Sequence, residues 1–241
     1  MNGYLYDPHT HTSETSKCGH LFAADVVDRY VRNGFSGLVV TDHLHPEYLS
    51  RIDTEHNWDK VMDHYLSGYH ASKKRGDEVG LDVILGAEFR FPENDNDYLV
   101  YGIDEQWLRS NPYACCMSAQ EFYDKFHDQV LIIHAHPFRK GSAPVQETAI
   151  HGAEIINNNP RHANNNDKAL AMCRRHPEYF RMAGYDTHRD GDEAHAGVIL
   201  PERVKDSFAY KHMIETMQFQ LWCPEFPDLV AADEEMRKEG K

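Results

Sequence analysis

Histidine sets this chain apart: 17 of its 241 residues are His, more than the 15 glycines. Their placement is ordered. His9 and His11 stand one residue apart in YDPHTHTSET, and in an extended strand, where side chains alternate between faces, both point to one side and can grip one ion. Four further apolar runs end in His or carboxylate: Asp42 and His43 close GLVVTDH, Glu88 follows DVILGA, His134 and His136 close VLIIHAHP, and Asp186 and His188 close YFRMAGYDTH. One such histidine is ordinarily a hydrogen-bonded surface side chain. Five strand ends of this kind in succession make a ligand set of imidazole and carboxylate, suited to Zn²⁺, Mn²⁺ or Fe. Of the five cysteines, 115 and 116 are adjacent and none forms a CxxC, so neither a disulfide framework nor a thiolate zinc site is expected.

Such residues meet only if the strands that carry them end on one face. An opening strand over Gly3–Asp7 is followed by a helix over Ala23–Asn33, with Val26, Val27, Tyr30 and Val31 on one side and Asn33-Gly34 as its stop. GLVVTDH reads as a buried strand, and Trp58–Arg75 as a helix ended by Gly76 or Gly80. DVILGAEF and DYLVYGI are strands separated by a polar turn. Ser118–His127 reads as a helix capped by Ser118 with Glu121 three residues on, and VLIIHAHP and AEIIN as strands. A helix over Asp167–Arg175 and the strand YFRMAGYDTH complete the alternation. Short apolar strands alternating with helices imply a mostly parallel sheet, either a barrel or an open doubly wound form. In a β/α barrel the strand C-termini share the face where active sites are built. Residues 1–241 read as one domain without repeat or linker, with a charged tail after about Asp228 expected to fray.

Composition narrows the function classes. A chain this long with 41% apolar residues buries roughly 70–75% of its unfolded surface and needs no staples. Its formal charge of -14, from 39 acidic and 25 basic residues, makes nucleic acid and anionic membranes poor partners. No signal-like N-terminal pattern and no apolar run of about 18 residues occurs, so a cytoplasmic protein is expected. Walker and GxGxxG stretches are absent, and the residues after Cys18 do not supply the arginine of a cysteine phosphatase loop.

Taken in order, DPHTHT, VVTDH, GAE, IIHAHP and AGYDTH resemble the PHP (polymerase and histidinol phosphatase) family over roughly residues 4 to 200. The resemblance implies a distorted seven-stranded (β/α)7 TIM-like barrel with two or three divalent metal ions at the strand C-termini. It makes His9, His11 and Asp186 ligands of a first ion, Glu88 the bridge to a second, and His136 a ligand of that second ion, with His134 in a supporting position. His43 and His188 match ligands of a third ion. Its remaining ligand is taken as His20, because CGH resembles the Cys-x-His of the histidinol phosphatase branch, with Glu14 as competitor. Where many members carry a histidine on the second ion, in a stretch like HxLxYGID, this chain has Asp97 in DYLVYGID, either a ligand or a turn residue.

The implied chemistry is phosphate ester hydrolysis. Two ions about 3.5–4 Å apart share a water, lower its pKa toward about 7 and hold the hydroxide in line with a phosphoryl group. Glu88 and Asp186 are the catalytic carboxylates, and Arg139, then Arg161, are the candidates for binding phosphate oxygens, which suit arginine's planar fork. The expected substrate is a small phosphate monoester, with histidinol phosphate suggested by CGH alone. The alternatives are a phosphodiesterase or nucleotide phosphohydrolase, and a non-catalytic metal-binding domain, which Asp97 would support. His134, His162 and His195 all stand open as the general acid.

Overall fold

The computed structural model describes residues 3–239. The opening strand β1 spans Tyr4–Thr10 and thus carries His9 within it. From Leu5 onward it is buried, which is why its residues read as a run and not as an alternation. After helix α1 (Ala23–Arg32) come β2 (Gly37–Val40), β3 (His43–Leu44) and the helices α2 (Pro46–Ile52), α3 (Trp58–Tyr65) and α4 (Ser67–Val79). Then follow β4 (Asp82–Leu85), β5 (Ala87–Arg90), β6 (Asp97–Tyr101), α5 (Glu105–Ser110), α6 (Ala119–Phe126), β7 (Leu131–His134) and β8 (Gly152–Asn157). The chain ends with α7 (Asn166–Arg175), β9 (Phe180–Gly184), β10 (Gly197–Leu200), α8 (Ser207–Glu215), β11 (Gln220–Trp222) and α9 (Pro227–Glu239).

The class is mixed α/β, as the alternation of strands and helices predicts. The strands do not form one closed seven-stranded ring, however. Among the described residues they make a five-stranded sheet, β11-β10-β1-β2-β4, and a six-stranded sheet, β3-β5-β6-β7-β8-β9. One seam between the sheets carries a parallel bridge from Thr10 to Thr187. At the other, the Gly86 N–H donates to Val40 O at 2.9 Å and the Glu88 N–H to Asp42 O at 3.1 Å, where each chain segment passes from one sheet to the other. The strand order also departs from an all-parallel one at β6, which pairs antiparallel with both β5 and β7, and at β10, which pairs antiparallel with β1 and β11. The polar turn at 91–96 replaces the crossover helix that a β/α unit requires.

Other differences are local. The helix expected over Trp58–Arg75 breaks at Leu66 into α3 and α4, and Gly80, at φ 80°, ends the second. Gly68 in α4 passes so close to the β1 loop that a Cβ there would lie 2.0 Å from Thr12 Oγ1, so only glycine admits the approach. The tail expected to fray is instead helix α9. Its Asp233 is buried and bonds Arg181 of β9 and Arg237 of its own helix, each at 2.5 Å. Charged composition alone conceals such an anchor, because the pairing is tertiary. Of the α1 face predicted from spacing, Val26, Val27 and Tyr30 pack with Leu38 and Val40 of β2, whereas Val31 is exposed. The larger core runs from Tyr6 through Tyr98, Leu99 and Ile133 to Ile156. No described helix is long and apolar enough to cross a membrane.

Candidate metal centre

Seven of the nine residues expected as ligands converge with carboxylate and ring atoms in mutual reach. His9 Nε2 lies 3.3 Å from Glu88 Oε1, 3.4 Å from Asp186 Oδ1 and 3.1 Å from His11 Nε2. His11 Nε2 is 3.3 Å from Glu88 Oε2 and 3.3 Å from Asp186 Oδ1. His136 Nε2 reaches Glu88 Oε1 at 3.3 Å, His43 Nδ1 reaches Glu88 Oε2 at 3.0 Å, and His188 Nδ1 reaches Asp186 Oδ1 at 3.2 Å. Four overlapping triads with the span of a cation site result: His11, His43 and His188; His9, His136 and Asp186; His9, His11 and Glu88; His43, Glu88 and Asp97.

Local structure explains the convergence. His9 lies in β1 one residue before its end, and Glu88 sits in β5 opposite His43 of β3, with which it is in register. His136 and Asp186 lie just past β7 and β9, with φ of 33° and 65°. Non-glycine residues in this region are strained by roughly 1–3 kcal/mol, and strain of this kind gathers at functional sites. The turn at His136 also separates it from His134, which remains in the strand, fully buried, stacked on Tyr98 at 4.9 Å with neither ring nitrogen bonded. Burial pushes the His134 pKa down to about 3.

The donor set fits a divalent cation. His9 Nδ1 lies 2.9 Å from Glu154 Oε1. When Nδ1 carries the proton toward that carboxylate, Nε2 presents a lone pair to the carboxylate oxygens in front of it. Both Glu88 oxygens and Asp186 Oδ1 are buried and accept no hydrogen bond. Lone pairs facing lone pairs in a buried site repel, and a cation between them removes the repulsion. Burial alone would raise the Glu88 pKa, but His43 and His9 beside it hold it well below the usual carboxylate range. Asp186 is likewise held low against its burial, by His9 and Arg139. Both therefore stand ready as anionic ligands.

The other expectations are placed less centrally. His20 is exposed on the wall of a neighbouring cavity and joins none of the triads; its backbone N–H donates to His188 O at 2.7 Å, which turns the loop outward. Cys18, not His20, faces His43 and His188, and against the effect of burial these rings bring its thiol down to about 6. Glu14 accepts the Ala23 N–H at the start of α1 and is engaged there. Asp97 belongs to one triad, yet Arg90 holds it through two bonds of 2.8 and 2.9 Å, and its Oδ2 lies 3.9 Å from His136 Nε2. Arg139 donates to Asp186 Oδ2 at 2.5 Å, Asn157 Oδ1 at 3.1 Å and Asn164 Oδ1 at 2.9 Å. Arg161 is paired with Asp192. Both arginines line a cavity of about 290 Å³ in front of the cluster. Among the three histidines open as general acid, His162 lines this cavity, with its pKa lowered by burial and by Arg139, whereas His195 is paired with Glu225 away from it.

Three contributors escaped sequence reasoning. Glu154 takes His9 on one oxygen and the His136 N–H, at 2.9 Å, and Asn157 Nδ2, at 3.0 Å, on the other. Its signal was a lone carboxylate inside the apolar strand AEIIN. Arg90 follows Glu88 by two residues on one strand, the same period that flags His9 and His11, and Arg189 directly follows His188; both line the cavity.

No family model matches the chain, and no curated protein matches it in sequence. Solved structures do match it. A two-domain protein from Bacteroides vulgatus, described as containing a predicted PHP-like metal-dependent phosphoesterase, aligns with a TM-score of 0.67 at 13% identity over 97% of this chain and 69% of its own. PsfC from Pseudomonas syringae aligns with a TM-score of 0.61 at 15% identity over 99% of each chain. An amidohydrolase from Chromobacterium violaceum aligns with a TM-score of 0.51 at 14% identity over 78% of this chain and 89% of its own. The chain therefore shares its fold with these proteins.

Proposed function

We propose that this chain is a metal-dependent phosphoesterase that hydrolyses a small phosphate ester, in the first instance a monoester. The observation that carries this is the convergence of unbonded Glu88 and Asp186 oxygens with the rings of His9, His11, His43, His136 and His188. On this assignment His9, His11, Glu88 and Asp186 hold a first ion, Glu88 and His136 a second, and His43 and His188 a third. Zn, Mn or Fe in these places supplies an acidified water and neutralises phosphoryl oxygens. Glu154 orients His9, and Arg139, braced by Asp186, Asn157 and Asn164, presents its remaining N–H groups to the phosphoryl oxygens, with Arg161 opposite. A cavity of about 290 Å³ supports a small ester as substrate. Histidinol phosphate loses its particular support, because His20 stands off the cluster. The two sheets are taken as halves of one distorted barrel, meeting at Thr10–Thr187 and at Val40–Gly86.

A second possibility, metal binding without turnover, is favoured by the grip of Arg90 on Asp97 in the second ion's place. One experiment separates the two. After chelation, Mn²⁺ or Zn²⁺ is restored and phosphate release is measured over monoesters and diesters, including histidinol phosphate and nucleoside monophosphates, alongside bound metal. Metal-dependent turnover of one class is expected. Stoichiometric metal without any turnover would favour the second possibility, and failure to bind metal would overturn both.

A further inference from the structure

Beside the metal centre lies a cavity of about 420 Å³ that shares Cys18, His43, Arg90 and Arg189 with it. Its remaining wall adds Lys17 and Arg51, so four cations face one acidic residue, Glu47, in a chain whose acids outnumber its bases 39 to 25. The pairing of arginines elsewhere sharpens the contrast. Among the described residues, ten of the fourteen arginines hold a carboxylate within 4.0 Å, which leaves Arg32, Arg51, Arg174 and Arg189; two of these four line this one cavity. Lys17 too has no carboxylate partner among the described residues. Arg90 gives Nε and Nη2 to Asp97 and keeps Nη1 unbonded. Lys17, Arg51 and Arg189 are exposed and hold no carboxylate of their own among the described residues, so an anion placed between them meets three unpaired positive charges.

We propose that this cavity binds a second anionic group of the substrate, so that the substrate class is a phosphate ester carrying a further phosphate or carboxylate. This rests on the phosphoesterase function proposed above. One end of the substrate lies in the metal-centre cavity and its second anion reaches across the shared Arg90–Arg189 wall to Lys17 and Arg51. The same cations draw an anionic ligand toward a chain that otherwise repels it, which makes capture sensitive to salt.

The test compares kcat/KM for propyl phosphate, propane-1,3-diyl bisphosphate and 3-(phosphonooxy)propanoate in the wild type and in a Lys17→Gln, Arg51→Gln double variant. Two charge-assisted contacts correspond to a preference of about a hundredfold for the esters with a second anion. The double variant is expected to lose at least about tenfold of it, mainly through KM. The bisphosphate and carboxylate arms tell which anion is preferred. Binding of propane-1,3-diyl bisphosphonate against propylphosphonate, by calorimetry on the metal-loaded protein, repeats the comparison without turnover. A wild type with no preference in either measurement, or a preference untouched by the double substitution in a variant whose urea midpoint is unchanged, overturns the second-anion site while leaving ester hydrolysis standing. Selective bisphosphonate binding without hydrolysis of any ester leaves the site standing and refutes the phosphoesterase function.

Discussion

Glu154→Gln isolates the role of one carboxylate that no strand-end motif marks. Its Oε1 faces His9 Nδ1 at 2.9 Å, while Oε2 accepts from the His136 N–H and from Asn157 Nδ2. A glutamine has one oxygen for these three donors. If that oxygen serves His136 and Asn157, its NH₂ faces His9 Nδ1, which must then become the acceptor and shift its proton to Nε2, the atom that points into the cluster. If it is turned the other way, the NH₂ meets two donors. In either arrangement a charge-assisted bond of about 1.5–3 kcal/mol is lost or replaced by a neutral one of about 1 kcal/mol. The difference of roughly 1–2 kcal/mol corresponds to about 5- to 30-fold weaker metal binding, which overlaps the lower part of the range of about 10- to 100-fold seen for groups behind histidine ligands. Metal affinity by competition with a chromophoric chelator measures this directly. The expected partner result is phosphate release that falls at limiting metal and recovers at excess, since Glu154 touches the ligand and not the substrate. Unchanged metal affinity in a folded variant would refute the tautomer argument.

Three further outcomes are expected. Glu88→Gln removes a buried charge whose oxygens accept no hydrogen bond. Thermal melting should show most of the stabilisation by added Zn²⁺ lost, and phosphate release should be abolished. Asp233→Asn removes the carboxylate charge shared by Arg181 and Arg237 together with one of its two acceptor oxygens and leaves the buried Arg181 guanidinium of β9 without a counter-charge, so urea unfolding should show a loss of about 3–5 kcal/mol. His151 Nδ1 accepts the Ile132 N–H at 3.0 Å, and burial depresses its pKa to about 4 from 6.5. The unfolded chain binds this proton first, so the contribution of His151 is complete above about pH 6.5 and declines as pH falls toward 4. Wild type should therefore lose about 2–3 kcal/mol more than His151→Gln between pH 7.5 and 4.5.

Most of the candidate site was legible because its residues sit where local pattern is strong. His9, His11, His43, Glu88, His136, Asp186 and His188 each end or follow a short apolar run, and runs of that kind become buried strands whatever surrounds them. The errors fall where the backbone leaves the strand. His134, expected in a supporting position, is parted from His136 by the turn there and stacks on Tyr98 with neither ring nitrogen bonded. In the loop after His11, the resemblance took His20 as the ligand with Glu14 as its competitor. The fold places Cys18 against His43 and His188, Glu14 on the start of α1 and His20 outside.

The sequence by itself determined the α/β class and the chemical type of the site, since hydrophobic period and residue chemistry are properties of short stretches. Tertiary structure alone decided that β6 runs antiparallel between β5 and β7, that the strands divide into two sheets, that Arg90 grips Asp97, and that Glu154 stands behind His9. It also brought Lys17, Arg51 and Arg189 around one cavity from distant parts of the chain. Those outcomes depend on which groups face one another across space, and a partner 145 residues away, as Glu154 is from His9, leaves no local trace of the pairing.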